Sequence, residues 1–126
     1  MIADQELYNL VYSKEGQRDQ IRTGEEIRAL FSSHVKGANK IYGSTSFGGV
    51  TGINFKIQRV SIYNDSSCTG SSKMTNKLCA KNVDVNSFLN LHSDIDHSTF
   101  CLAYAFTYRD FVQGTLGLAW VASASA

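Results

Sequence analysis

Proline is absent from all 126 residues, against an average usage of about 5%. Glutamate is missing in a more telling way. Glu6, Glu15, Glu25 and Glu26 are the only four, so everything after position 26 lacks a glutamate to act as a general base. Neither sign of charge is in excess: 12 Lys+Arg face 11 Asp+Glu, for a formal charge of +1. That balance gives no general field to draw in nucleic acid or an anionic membrane surface, so neither is an expected partner. Long apolar runs are lacking too. The longest, Leu116–Ala122, falls far short of the ~20 residues that cross a bilayer, and MIADQELYNL has no basic region followed by an apolar one. The expectation is a segment without its own membrane contact or secretion signal, and not a complete hydrolase.

Metal-type donors are equally sparse. Zinc hydrolases commonly display two histidines at i and i+4 on a helix, with a glutamate beside the first. His34, His92 and His97 are the only three here, and no pair fits. His34 falls on a helical apolar stripe and reads as a core or boundary histidine. His92, Asp94, Asp96 and His97 (HSDIDH) offer imidazole and oxygen donors in principle, and fit a solvated connection equally well. Cys101 lies four residues from His97, but within FCLAYAF, where burial raises a thiol's pKa and makes it inert. Cys68 and Cys79, in a polar stretch, suit a local disulfide in an oxidising compartment. No C-x-x-C occurs. Asn64-Asp65-Ser66 is an N-glycosylation acceptor, so an extracellular or secretory-lumen setting is expected.

What is present is enough apolar sequence for one core, 43% hydrophobic and 11% aromatic. LYNLVY (7–12) has strand composition. Thr23-x-x-Glu26 matches a capping box, and Ile27, Leu30, Phe31, His34, Val35, Ala38, Ile41 and Tyr42 then recur at spacings of three and four, predicting a helix over 24–42. The glycines between Gly43 and Gly52 turn the chain. Ile53, Phe55 and Ile57 alternate in one phase and Val60 and Ile62 in the other, which predicts a strand buried on both faces or bulged near Gln58–Arg59. Asn64–Lys81 reads as a long exposed loop. Asp84 is placed to cap a short helix facing inward through Val85, Phe88, Leu89 and His92. FCLAYAF (100–106) reads as a central strand and GTLGLAWV (114–121) as another. The tail ASASA is expected to form no element. This order predicts an α/β fold with helices packed on a sheet.

The segment FCLAYAFTYRDFVQGTLGLAWV (100–121) resembles the third and fourth strands of the catalytic domain in the kuzbanian-like, alpha-secretase branch of the disintegrin-and-metalloproteases, a branch of the reprolysin family. SSHVKGANKIYGSTSFGGVTGINFKIQRVSIYN (32–64) resembles its first long helix and second strand, and VDVNSFLNLHSDIDHSTFCLAY its second helix and third strand. The resemblance implies a metzincin-like upper subdomain: a mixed, mostly parallel sheet of about four strands with two helices. It assigns 23–126 to the N-terminal half of such a domain and leaves 1–22 poorly matched. It also implies zinc and extended peptide or membrane-protein ectodomain substrates for a complete sheddase, anchored in a membrane. The family's HExxH zinc helix and methionine turn lie beyond the matched segment, so neither catalytic nor metal residues transfer. Family members pair a first-strand cysteine with the one matching Cys101; LYNLVY has none. One functional element does transfer. The fourth strand is the family's substrate edge, which corresponds to Thr115, Leu116, Gly117, Leu118 and Ala119, with the N–H groups of Leu116 and Gly117 facing substrate carbonyls. A non-enzymatic module that captures an extended peptide on the same edge is the alternative.

Overall fold

The computed structural model describes residues 1–121, apart from the side chain of Met74; the reading of the ASASA tail lies outside them. Its centre is a strand of two residues, β1 (Ile2–Ala3), flanked in parallel by β2 (Ser61–Ile62) and β3 (Ala105–Phe106). The two side chains of β1 point to opposite faces, as the pleat requires. Each therefore seeds a separate core. Ala3 packs with Leu7, Tyr8, Val11, Ile27 and Phe31 under helices α1 (Gln5–Lys14) and α2 (Gln20–Ser44), while Ile2 packs with Leu78, Phe88 and Phe111 under α4 (Val85–Ser93). Among the described residues the result is a helix–sheet–helix sandwich with three parallel strands and four helices, in place of the expected four or so strands and two helices.

The first departure is LYNLVY, which is helix. Asp4 caps α1 by accepting the Leu7 N–H, and Leu7, Tyr8 and Val11 are buried at helical spacing. Its strand-like composition gives way to a cap and to the helical period of its core side chains. The long helix also starts earlier than its apolar stripe. Asp19 is the cap, through the Arg22 N–H, whereas Thr23 is buried one turn inside and returns its hydroxyl to the Asp19 carbonyl at 2.6 Å. Asp84 caps α4 through the Ser87 N–H, as expected.

Between Ile53 and Ile62 only the last two residues pair with β1. Ile57, Val60 and Ile62 nevertheless pack on the same core, but the residues before Ser61 form no strand, so the expected strand, bulged or buried on two faces, is reduced to its last two residues. Asn39 of α2 holds the start of this stretch, accepting the Phe55 N–H at 2.6 Å and donating to its carbonyl at 2.9 Å. Asn64–Lys81 is more ordered than a solvent loop. It contains short 3-10 turns at Asp65–Cys68 and Lys77–Cys79, helix α3 (Gly70–Thr75) and the buried Leu78 and Cys79, closed by the expected Cys68–Cys79 disulfide at a Cα separation of 5.4 Å. FCLAYAF is not central: it lies at the sheet's edge, and only Ala105–Phe106 pair.

Candidate functional site

The polar centre of the molecule is Asp4, which is wholly buried at the end of β1. One carboxylate oxygen caps α1; the other accepts the Thr107 hydroxyl at 2.6 Å and the Arg109 Nε at 3.0 Å. Arg109 also donates to the Leu78 carbonyl at 2.9 Å and stacks its guanidinium 5.2 Å from the Phe88 ring centroid. A buried carboxylate is tolerated when it is paired and its lone pairs are filled, and this one is. The chain leaving β3 is thereby tied to the end of β1, the disulfide-closed segment and α4.

From that anchor the chain passes a 3-10 turn at Val112–Gly114 into the predicted substrate strand. Thr115–Val121 belongs to no ladder, because no strand lies alongside it among the described residues. The main-chain groups of Leu116–Val121 have no hydrogen-bond partners among the described residues. Leu116 and Val121 are fully or almost fully exposed. Trp120 fixes the far end by donating its indole N–H to Ser93 Oγ at 2.7 Å, at the C-terminus of α4. A Cβ on Gly117 would meet nothing within 4 Å, so another backbone can approach there.

The remaining candidates are scattered. His34 is exposed on α2, where it meets Phe106 edge-on at 5.1 Å and bonds its Nδ1 to the Leu30 carbonyl; it is not a core residue. Cys101 is exposed, contrary to the expected burial, because its segment lies outside the paired part of β3. HSDIDH is not uniformly solvated: His92 is buried, its ring 4.6 Å from that of His97, and its Nε2 has no partner. Burial first, then the neighbouring His97, holds the His92 pKa below the ordinary imidazole range. Among the described residues no three His, Cys, Asp or Glu side chains converge. Asn64 caps the 3-10 turn through its Oδ1, which accepts from the Ser67 N–H and, at 2.7 Å, from the Ser66 hydroxyl. Sequence reasoning missed the Asp4–Arg109 pair. The only local signal was a cap-type aspartate four residues from the start, and its partner lies 105 positions away.

Comparison with known proteins gives these features a family. The model of Reprolysin_5, metallo-peptidase family M12, matches residues 1–126. The disintegrin and metalloproteinase domain-containing protein 10 homolog of Caenorhabditis elegans is 56% identical over 126 residues, covering 98% of this chain and 14% of that protein. The protein of that name from Xenopus laevis is 42% identical over 118 residues, with 93% and 15% covered. The Homo sapiens one is 42% identical over 103 residues, with 82% and 13% covered. The chain thus spans about one seventh of the length of these relatives. With a family match that runs its whole length, the chain belongs to metallo-peptidase family M12, as a segment related to the kuzbanian-like disintegrin-and-metalloproteases.

Proposed function

We propose that this segment, with residues 23–126 as the N-terminal half of the domain, supplies the sheet and the substrate-binding strand of a zinc metalloendopeptidase, of the kind that sheds membrane-protein ectodomains. The observation that carries this reading is the unpaired main chain of Leu116–Val121, held at one end by the Asp4–Arg109 anchor and at the other by Trp120. An extended peptide laid along Thr115–Ala119 would gain main-chain hydrogen bonds, the means by which proteins add a strand to an open edge. Leu116 and Gly117 would donate their N–H groups to carbonyls beside the scissile bond. Zinc would be held elsewhere in a complete domain, and no step through the metal is assigned to the residues described. The Cys68–Cys79 disulfide supports an oxidising, extracellular setting. At Asn64 only Oδ1 is engaged, so the amide nitrogen is free to carry a glycan.

The test restores a zinc-bearing C-terminal portion of the same family and replaces the Gly117 amide by an ester, deleting one N–H without adding a side chain. A neutral hydrogen bond is worth about 0.5–1.5 kcal/mol, so kcat/KM should fall about 2- to 13-fold while the unfolding midpoint stays put. An ester form that is folded and cleaves peptide at the unmodified rate removes Gly117 from the substrate edge. The 126-residue chain alone should bind no stoichiometric zinc by elemental analysis.

A further inference from the structure

A hollow of about 410 Å³ lies between the first turns of α2 and the C-terminal end of β2, and Asn64 stands on its rim. Gln20, Ile21, Gly24, Glu25 and Arg28 share the helix face that lines it. Gly24 gives the hollow its depth. A Cβ there would meet Arg28 Nη1 at 3.0 Å, so the missing side chain lets the guanidinium lie back along the helix. The lining mixes apolar and polar groups. Ile21 is 76% exposed, while the Gln20, Glu25 and Arg28 side chains enter no hydrogen bond or ion pair among the described residues. Such a surface suits a sugar ring, which lays its C–H groups on an apolar side chain and turns its hydroxyls to an amide, a carboxylate and a guanidinium.

Asn64 is already oriented by the turn that follows it. Its Oδ1 accepts from the Ser67 N–H at 3.2 Å and from the Ser66 hydroxyl at 2.7 Å, and the planar amide then points Nδ2 away from both donors. Nδ2 is the atom that carries the sugar in an Asn-x-Ser acceptor. Glycans are carried on surface that faces solvent. With Asn64 glycosylated as proposed, this side of the molecule stays open to solvent in a complete protein as well.

We propose that the hollow is the seat of the glycan's first sugar, an inference that rests on Asn64 being the glycosylated residue. The sugar is transferred from a lipid pyrophosphate donor: a bond forms between its C1 and Asn64 Nδ2, the C1–O bond to the pyrophosphate breaks, and the amide proton leaves with it. The attached N-acetylglucosamine folds back onto α2, lays its ring over Ile21 and bonds its hydroxyl and acetamido groups to Gln20, Glu25 and Arg28. Its effect is twofold. It covers a large exposed apolar side chain, and it ties the exit of β2 to the start of α2.

The test uses the protein as secreted by a eukaryotic cell line, with Asn64 occupancy read by peptide mass spectrometry and side-chain exposure by hydroxyl-radical footprinting. The comparator is Ser66→Ala, which destroys the acceptor and leaves the Asn64 cap on the Ser67 N–H in place. Ile21 and Ile41 lie on the same helix and are 76% and 63% exposed, so Ile41 serves as the internal control. Radical attack follows exposed area, and covering most of Ile21 should slow its oxidation about fivefold in the glycosylated protein while Ile41 is unchanged. Trimming with an endoglycosidase that leaves only the first sugar should preserve this protection. Gly24→Gln fills the hollow with a good helix former and displaces only the flexible end of Arg28, so it should abolish the glycan-dependent difference. Three results overturn the seat and leave the glycan assignment standing: equal Ile21 oxidation with and without the glycan, protection lost on trimming to one sugar, or undiminished protection in Gly24→Gln. An Asn64 that carries no sugar overturns both.

Discussion

Replacing Arg109 with methionine isolates the contribution of the anchor that precedes the proposed substrate strand. The side chain keeps most of its volume against Phe88, but Asp4, with no exposed surface, loses the cation 3.0 Å away and keeps only the Leu7 N–H and the Thr107 hydroxyl. At an effective dielectric of ~20 a pair at that distance attracts by about 5–6 kcal/mol before desolvation is subtracted. Stranding one member of a buried pair costs about 3–5 kcal/mol. A domain of this length holds only about 6–19 kcal/mol in all, so the loss is a large share. With a urea slope of about 2 kcal/mol/M, the midpoint followed by far-UV circular dichroism should drop by roughly 1.5–2.5 M. Adding Asp4→Asn neutralises the stranded charge and should return about 1–3 kcal/mol. A midpoint shift under about 0.5 M for Arg109→Met, or a double variant less stable than it, would refute the assignment of this pair as the anchor.

Gly16 sits buried in the α1–α2 turn where a Cβ would run into Thr23 Oγ1, so Gly16→Ala should cost about 1–3 kcal/mol by overpacking in the same urea assay. His92 gives the pH dependence. Because burial keeps its folded pKa low, the unfolded chain takes up the proton first, near pH 6.5; stability is full above that and declines as pH falls toward the folded value. Midpoints measured at pH 7.5 and 5.5 should converge in His92→Phe if this histidine is responsible. Serine at both Cys68 and Cys79 should remove about 3 kcal/mol on the chain-entropy model, and intact stability in that double variant would contradict it.

Helices with strong caps and wide stripes were legible, and short pairings were not. α4 follows from Asp84 and its inward face. For α2 the stripe from Ile27 onward located the element, but its first turn begins at Asp19, where a single side chain outweighs the capping-box pattern one turn on. LYNLVY is the instructive miss. Leu7 and Val11 are four apart, a helical spacing hidden by β-prone residue types, while the actual strand has two residues and no periodicity to read. β3 illustrates the other side of this. Seven apolar residues suggested a central strand, but which strand is central depends on pairing partners about 60 and 100 positions from β1, and no local pattern encodes that. At the candidate site Thr115–Ala119 as a substrate edge is a proposal, while the Cys68–Cys79 disulfide could be named from sequence. The buried pair that anchors them could not, since neither Asp4 nor Arg109 carries a sign of the other.

The two hydrogen bonds between Asn39 and Phe55 have a consequence for how this stretch can vary. They close a ring across 16 positions, and inside it lie the Phe47–Val50 bridge and three glycines with positive φ, Gly48, Gly49 and Gly52. Residues inserted or deleted at the tip of that ring change its circumference and leave both ends where Asn39 holds them. Length change there is thus uncoupled from strand register, whereas a single residue added between Phe55 and Ser61 would move Ile62 off the core it shares with Phe31. Insertions among related chains should accordingly collect at 44–52 and stop at Phe55.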